Sequence, residues 1–450
     1  MAGSFWGCAG LLGLAALSLV ISRRLTGDFL CPAALLITAW SVALGLYFLR
    51  LIPYIWVGEK TLLVILGALS LFTVGAVAGA RVHIGSGGEE GALDSEAATR
   101  WILLYSLLGL LGILWYALSV TLVLGWSSWT FPARIRWSMM DGTLTGAFYW
   151  LVYFCIGAPL LAVVCRVSGT RLKRIVLLPS ILCAVALWAT TDRNLFFMLV
   201  LAATWVVLYR FPQIRLRRYL GILALSALLL ALNFSILGWW IGKTPKNLGM
   251  QLAFQGNFPE VKMSSVSPSR AAGAKPLPPA LQKLSTIYVY GTGAFPAFAR
   301  TLAEGPDYSM GERTLFPVLR FLQRAGLIHE SLPPAIDEFT LVSEEGSPVE
   351  LRVNSYTFLR SFFEDFGIPG ALVLPLLLGV ITGVVYEHLR RNRSSPVALA
   401  LIGQIGMALS LSTFTNKFSD TGPWYVAVLL LLPFSLGLAA SGRRLVGTGQ

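Results

Sequence analysis

The sequence predicts an all-α polytopic membrane protein with about eleven transmembrane helices and one large extracytoplasmic loop that holds short amphipathic helices. Three observations predict it. Hydrophobic residues form 56% of the chain and charged residues 13%, with a mean hydropathy of +0.70, far from the balance of a soluble domain. Apolar runs of membrane-crossing length recur along the chain, separated by short polar breaks. One break is much longer: residues 242–366 cannot cross a bilayer as a single helix.

The first apolar run covers 4–21. Its core, Phe5 to Ile21, has no basic segment before it and is followed by Arg23 and Arg24, so a retained helix with its N-terminus outside is expected rather than a signal peptide. Further runs cover 30–49, 61–80, 101–125 and 144–165. The next two, 175–191 and 194–211, form a tight pair broken at Thr190-Thr191-Asp192-Arg193-Asn194. The run 219–241 closes an N-terminal bundle, 1–241, of about eight spans. The polar loop 242–366 follows, and 367–450 carries about three more spans, at 367–388, 396–415 and 422–440.

Charge orients these runs. Clusters of Lys and Arg follow every second run: Arg23 and Arg24; Arg81 and Arg100; Arg166, Arg171, Lys173 and Arg174; Arg210, Arg215, Arg217 and Arg218; Arg390, Arg391 and Arg393; Arg443 and Arg444. The short loops opposite hold only Arg50, Lys60, Arg134, Arg136, Arg193 and Lys417. The positive-inside rule then predicts an N-terminus outside, a C-terminus in the cytoplasm and a long loop outside, in the periplasm of a double-membrane bacterium or its equivalent. The basic residues within that loop do not oppose this, because long loops translocate regardless of charge.

The net charge of +13 does not indicate nucleic-acid binding, since its carriers sit mostly at the ends of apolar runs, where they orient helices and meet anionic lipid. Cys8, Cys31, Cys155, Cys165 and Cys183 lie in or beside apolar runs and read as small core residues rather than a disulfide framework. His83, His329 and His388 are too scattered to suggest a metal site.

The long loop has three textures. Lys262 to Pro279 is rich in Ser, Pro, Ala and Lys and reads as an excursion without a core. Leu281 to Phe298 is aromatic. Glu312 to Leu327 is amphipathic at helical spacing, with Leu315, Leu319 and Leu322 on one stripe and Arg313, Arg320 and Arg324 on another. Such a helix suits a membrane surface beside a lipid phosphate; the competing expectation is a packed surface helix with solvated arginines.

Several residues are candidates for chemistry. Arg193 is an isolated cation between two apolar runs, suited to clamp a diphosphate through its planar guanidinium; an exposed Asp–Arg turn is the alternative. Arg136, with Arg134, stands among Trp126, Trp129 and Trp137 and is either a second anion contact or part of an interfacial belt. Arg300, Arg320, Arg324 and Arg360 are further diphosphate contacts to consider. Glu364 and Asp365 precede the ninth run and suit proton transfer from a sugar hydroxyl, or the capping of the incoming helix. His329 is the single histidine expected outside the cytoplasm, and imidazole suits acid–base work near neutral pH. Tyr288, Tyr290, Tyr308 and Tyr356 offer faces for sugar rings, or pack the loop against the membrane.

Asn354-x-Tyr356-Thr357 followed by Asp365-Phe366-Gly367-x-x-Gly370 at the entry to a span resembles the bacterial oligosaccharide repeat-unit polymerases, the Wzy-type O-antigen polymerases. Ten or more spans, one dominant late loop and an arginine in a Thr-rich outer turn match the same plan, and Arg300 and Gly311 echo an Arg–Gly spacing in loops of that family. The resemblance implies a GT-C-like helical fold and a metal-independent glycosyltransferase without cofactor. The donor would be a growing glycan on undecaprenyl diphosphate and the acceptor a lipid-linked repeat unit, with Asn354 joining the tyrosines at the sugars. A chain-length regulator protein is a partner consistent with this reading. An O-antigen ligase or peptidoglycan-type polymerase shares the plan. A lipid-linked glycan flippase or transporter is less well matched, since the span interiors are nearly free of charge. A non-catalytic envelope scaffold is the remaining alternative.

Overall fold

The computed structural model describes residues 2–26, 31–49, 54–82, 93, 95–130, 135, 138, 147–165, 170–190, 192–211, 216–240, 288–289, 291–305, 308–329, 340–342, 352–353, 356–393 and 395–447. The excursion at 262–279, Arg134, Arg136, Tyr290 and Asn354 lie outside them.

Among the described residues the apolar runs are helical. In chain order the helices are α1 (Ala2–Thr26), α2 (Pro32–Phe48), α3 (Glu59–Arg81), α4 (Ser95–Leu124), α5 (Phe154–Val164), α6 (Thr170–Ala186), α7 (Arg193–Arg210) and α8 (Leu216–Trp240). Two short loop helices follow, α9 (Ala294–Glu304) and α10 (Phe316–Arg324), then α11 (Phe358–Arg391), α12 (Pro396–Leu411) and α13 (Thr421–Gly447). A 3-10 segment, Ala147–Tyr153, leads into α5, and another, Leu187–Thr190, ends α6. The protein is mostly helical. Among the described residues, Glu59–Arg81, Ser95–Leu124, Lys173–Thr190 and Phe358–Arg391 are long and apolar enough to cross a membrane, and five apolar helical stretches are shorter.

Packing divides the chain into two compact units. The first comprises Met1–Arg81, Lys243–Gly383 and Ala408–Thr421. Its aromatic core centres on Trp40, whose ring meets Phe295 and Phe358 edge-on at 5.6 Å each. Trp40 has a polar handle that burial obliges it to satisfy, and its Nε1 donates to Ser412 Oγ at 2.9 Å. Within this unit α3 and the apolar half of α11 lie in backbone contact. A Cβ added at Gly75 or Gly79 would sit 2.1 Å from the carbonyl oxygen of Leu376 or Val380, and one at Gly379 or Gly383 would meet Phe72 or Ala76 at 2.2 or 2.1 Å. Two small-xxx-small pairs thus let the helices approach where packing, not water exclusion, drives association.

The second unit comprises Val82–Gly242, Val384–Met407 and Gly422–Gln450. Here α4 packs on α5 and α6. Tyr105 donates to the carbonyl of Leu429 at 2.7 Å, and Tyr116 to that of Thr190 at 2.9 Å. Arg210 donates to the carbonyls of Val163 and Val164 at the end of α5, a favourable place for a cation. Cys155, Cys165 and Cys183 are buried free thiols.

The ninth run differs from its expectation. Helix begins at Phe358, nine residues before 367, and bends at Gly367. Phe358, Leu359, Phe362 and Phe363 are buried at helical spacing, which makes this re-entry segment an amphipathic helix rather than a loop. Gly367 has φ 66° and ψ −156°, a conformation essentially confined to glycine. Pro369 then falls in the first turn of the apolar half, where its missing N–H is no loss.

Candidate functional site

The re-entry helix places Arg360 and Glu364 one turn apart on the same face. Arg360 Nε donates to Glu364 Oε1 at 2.5 Å, while Glu364 Oε2 lies 3.8 Å from Arg313 Nε. Arg360 also donates through Nη1 to Thr340 Oγ1 at 3.0 Å, and its guanidinium carbon stands 4.0 Å from the centre of the Tyr356 ring, a cation–π arrangement. Thr340 and Leu341 form strand β1, which pairs antiparallel with β2, Arg352–Val353. Arg300 reaches the same strand: its Nη1 donates to the carbonyl of Leu341 at 3.2 Å, and its Nε to Glu304 at 2.6 Å.

Asp365, the next residue, is wholly buried. Its Oδ1 accepts from Ser309 Oγ at 2.5 Å and from the amide of Arg313 at 3.0 Å, and its Oδ2 accepts from the amide of Thr314 at 2.6 Å. Ser309 N donates in turn to the carbonyl of Glu364 at 3.0 Å. These bonds hold the 309–314 turn, with Met310 at φ 48° and Gly311 at φ 102°, against the helix just before its bend. The backbone of Arg313 is therefore fixed by Asp365 while its side chain approaches Glu364.

The structure thus gathers Arg300, Tyr356, Arg360, Glu364 and Asp365 from the sequence candidates and adds Ser309, Arg313, Thr314 and Thr340. It corrects the expectation for Asp365 as a base or as a cap of its own helix: three donors and full burial commit its oxygens to the turn. It also corrects Tyr288 as a sugar platform. That ring is buried, stacks on Tyr54 at 6.2 Å, and donates its hydroxyl to the carbonyl of Leu46 at 2.9 Å. Burial pushes the neighbouring Tyr54 phenol above its ordinary range. Tyr308 remains exposed, and its ring lies beside Gly367.

His329 is exposed beyond the end of α10. Arg320 donates to Gln323 Oε1 at 2.7 Å within its own helix. Arg324 is the last residue of that helix. The amphipathic segment is shorter than its sequence pattern, because Leu315 already lies outside the helix and Gly326 has φ 72°.

Arg193 belongs to the second unit, as the first helical residue of α7. Asp192 caps that helix, accepting the amide of Asn194 at 2.9 Å. A further polar feature is Lys417, which is buried and paired with Asp420 at 2.6 Å. The segment just before it accepts the backbone of the re-entry helix: Tyr356 N bonds to the carbonyl of Phe414 and Phe358 N to that of Ser412. A Lys–x–x–Asp pair in a short break between apolar runs was the available signal for it. Among the described residues no three of His, Cys, Asp and Glu gather as a metal-ligand group.

No family model, curated protein or solved structure matches this chain.

Proposed function

We propose that the protein is a membrane glycosyltransferase that polymerises undecaprenyl-diphosphate-linked oligosaccharide repeat units into O-antigen or a related surface polysaccharide, on the periplasmic face of a bacterial inner membrane. The observation that carries the reading is the Arg360–Glu364–Arg313 cluster, built on the re-entry helix directly before its bend at Gly367 into an apolar half of spanning length. Arg360 and Glu364 lie within the stretch 354–370 that resembles the repeat-unit polymerases, and Arg313 joins them from the 309–314 turn.

In the proposed reaction the bond between the donor's anomeric carbon and its diphosphate oxygen breaks. A bond from the acceptor hydroxyl oxygen to that carbon forms. Undecaprenyl diphosphate leaves with the electron pair, and the hydroxyl proton passes to a carboxylate. Charge that develops on the diphosphate is stabilised by prepositioned guanidinium groups, an electrostatic contribution that costs no reorganisation in the transition state. Arg313 and Arg300 are partly exposed and suited to that contact, whereas Arg360 is nearly buried and holds Glu364 in place. With Arg313 on the diphosphate, Glu364 Oε2 takes the proton. Arg193, in the second unit, is kept as a diphosphate contact on its sequence position alone, and Tyr308 and Tyr356 face sugar.

The test uses cells that make the polymer. Arg193→Ala and Arg313→Ala should each erase the chain-length ladder while the protein stays folded and inserted, as read by size-exclusion profile and membrane fractionation. Normal ladders from both variants would refute the assignment.

A further inference from the structure

The loop helix α10 presents its apolar side outward. Val318 and Phe321, three residues apart and so on one face, are 54% and 69% exposed, and Leu315 just before the helix is 51% exposed. Leu327, Met310 and Tyr308 in the same segment are exposed as well. Leu319 and Leu322, the other members of the leucine pattern, are half-buried. A solvated helix has the opposite arrangement, with polar residues outward.

The surface continues into the apolar helix that follows the bend. A Cβ at Gly311 would lie 3.3 Å from Phe366 Cζ and 3.5 Å from Leu315 Cδ1, so these groups are neighbours. Phe366 is itself partly exposed at the bend, and Val373, Leu377 and Ile381 carry an exposed stripe at four-residue spacing down the spanning half of α11. Such a stripe on a helix of membrane length faces acyl chains. The segment 308–329 also carries Arg313, Arg320 and Arg324 against Glu312, a net positive charge.

We infer that α10 is an interfacial anchor: its Leu315–Val318–Phe321 face dips into the acyl boundary of the leaflet that meets the Gly367 end of α11, with its arginines at the level of anionic phospholipid headgroups. The exposed apolar face and the net positive charge both suit this occupant. The anchor fixes the height of the 309–314 turn, and with it Arg313, relative to the lipid surface. It does not depend on the protein being a transferase.

The full chain in vesicles of phosphatidylethanolamine and phosphatidylglycerol tests it. A photo-crosslinking benzoylphenylalanine replaces Phe321, Val318 or, on the exposed polar turn, Glu312. Phospholipid adducts at 321 and 318 and none at 312 are expected by mass spectrometry. Adducts to a second copy of the chain, or equal capture at all three positions, would overturn the anchor. Hydroxyl-radical footprinting of the unsubstituted protein in the same vesicles is a measurement independent of any variant. Met310 and Phe321 should be protected while His329 is oxidised. Full oxidation of Met310 and Phe321 would overturn the anchor as well.

Discussion

Asp365 illustrates how much one buried carboxylate organises. It accepts from one hydroxyl and two amides, so its removal leaves two part-buried backbone donors without this partner. Asp365→Ala should destabilise the protein by about 3 kcal/mol, from the unpaired amides and the lost charge-assisted bonds. The measurement is a clear fall in the thermal midpoint in detergent. Turnover would fall through displacement of Arg313, and an unchanged midpoint would show that the turn does not depend on this residue. Gly367 gives a second residue-scale prediction. At φ 66° and ψ −156°, Gly367→Ala incurs about 1–3 kcal/mol of backbone strain. The new methyl would also approach the Tyr308 hydroxyl at 3.1 Å. Pairing the change with Tyr308→Ala removes only the steric part, so the double variant should remain less stable than the parent. Full recovery would mean that the contact, not the backbone, sets the requirement.

Among the elements, the α3–α11 crossing has the least tolerance. A methyl at Gly79 would stand 2.1 Å from a backbone oxygen, whereas one at Gly67 would stand 3.0 Å from a terminal methyl of Leu372. Backbone cannot yield as a leucine rotamer can. Gly79→Ala should therefore cost about 1–3 kcal/mol through overpacking, and Gly67→Ala markedly less, by thermal unfolding of the two variants side by side. Equal losses would argue against backbone contact between these helices. The positions of the helices were legible in the sequence, because a run of apolar residues of this length has few structures open to it. The re-entry helix was not. Its pattern of Phe358, Leu359, Phe362 and Phe363 has a helical period, but Arg360, Glu364 and Asp365 drew attention as isolated chemical groups, and their partners are not local. Arg360 meets Thr340 and Asp365 meets Ser309 across long stretches of chain, and no periodicity announces such pairs. Tyr288 fails for a related reason: an aromatic residue in a polar loop reads equally as a sugar platform or as core, and only its stacking on Tyr54 decides.

At the scale of the whole molecule, the sequence carries an asymmetric distribution of basic residues between alternate breaks, and the orientation inferred from it is directly checkable. A fluorescent reporter fused after Arg444 should fold and fluoresce in the cytoplasm, and alkaline phosphatase fused within 242–287 should be active in the periplasm. The reverse pattern would put the arginine–carboxylate cluster on the wrong side for lipid-linked repeat units. The central claim is transfer between two such lipids, and the most direct measurement is reconstitution of the purified protein in vesicles with an undecaprenyl-diphosphate-linked repeat unit and no nucleotide sugar. The account predicts a ladder of lipid-linked oligomers with release of undecaprenyl diphosphate. Movement of the intact lipid across the bilayer without any new glycosidic bond would contradict it.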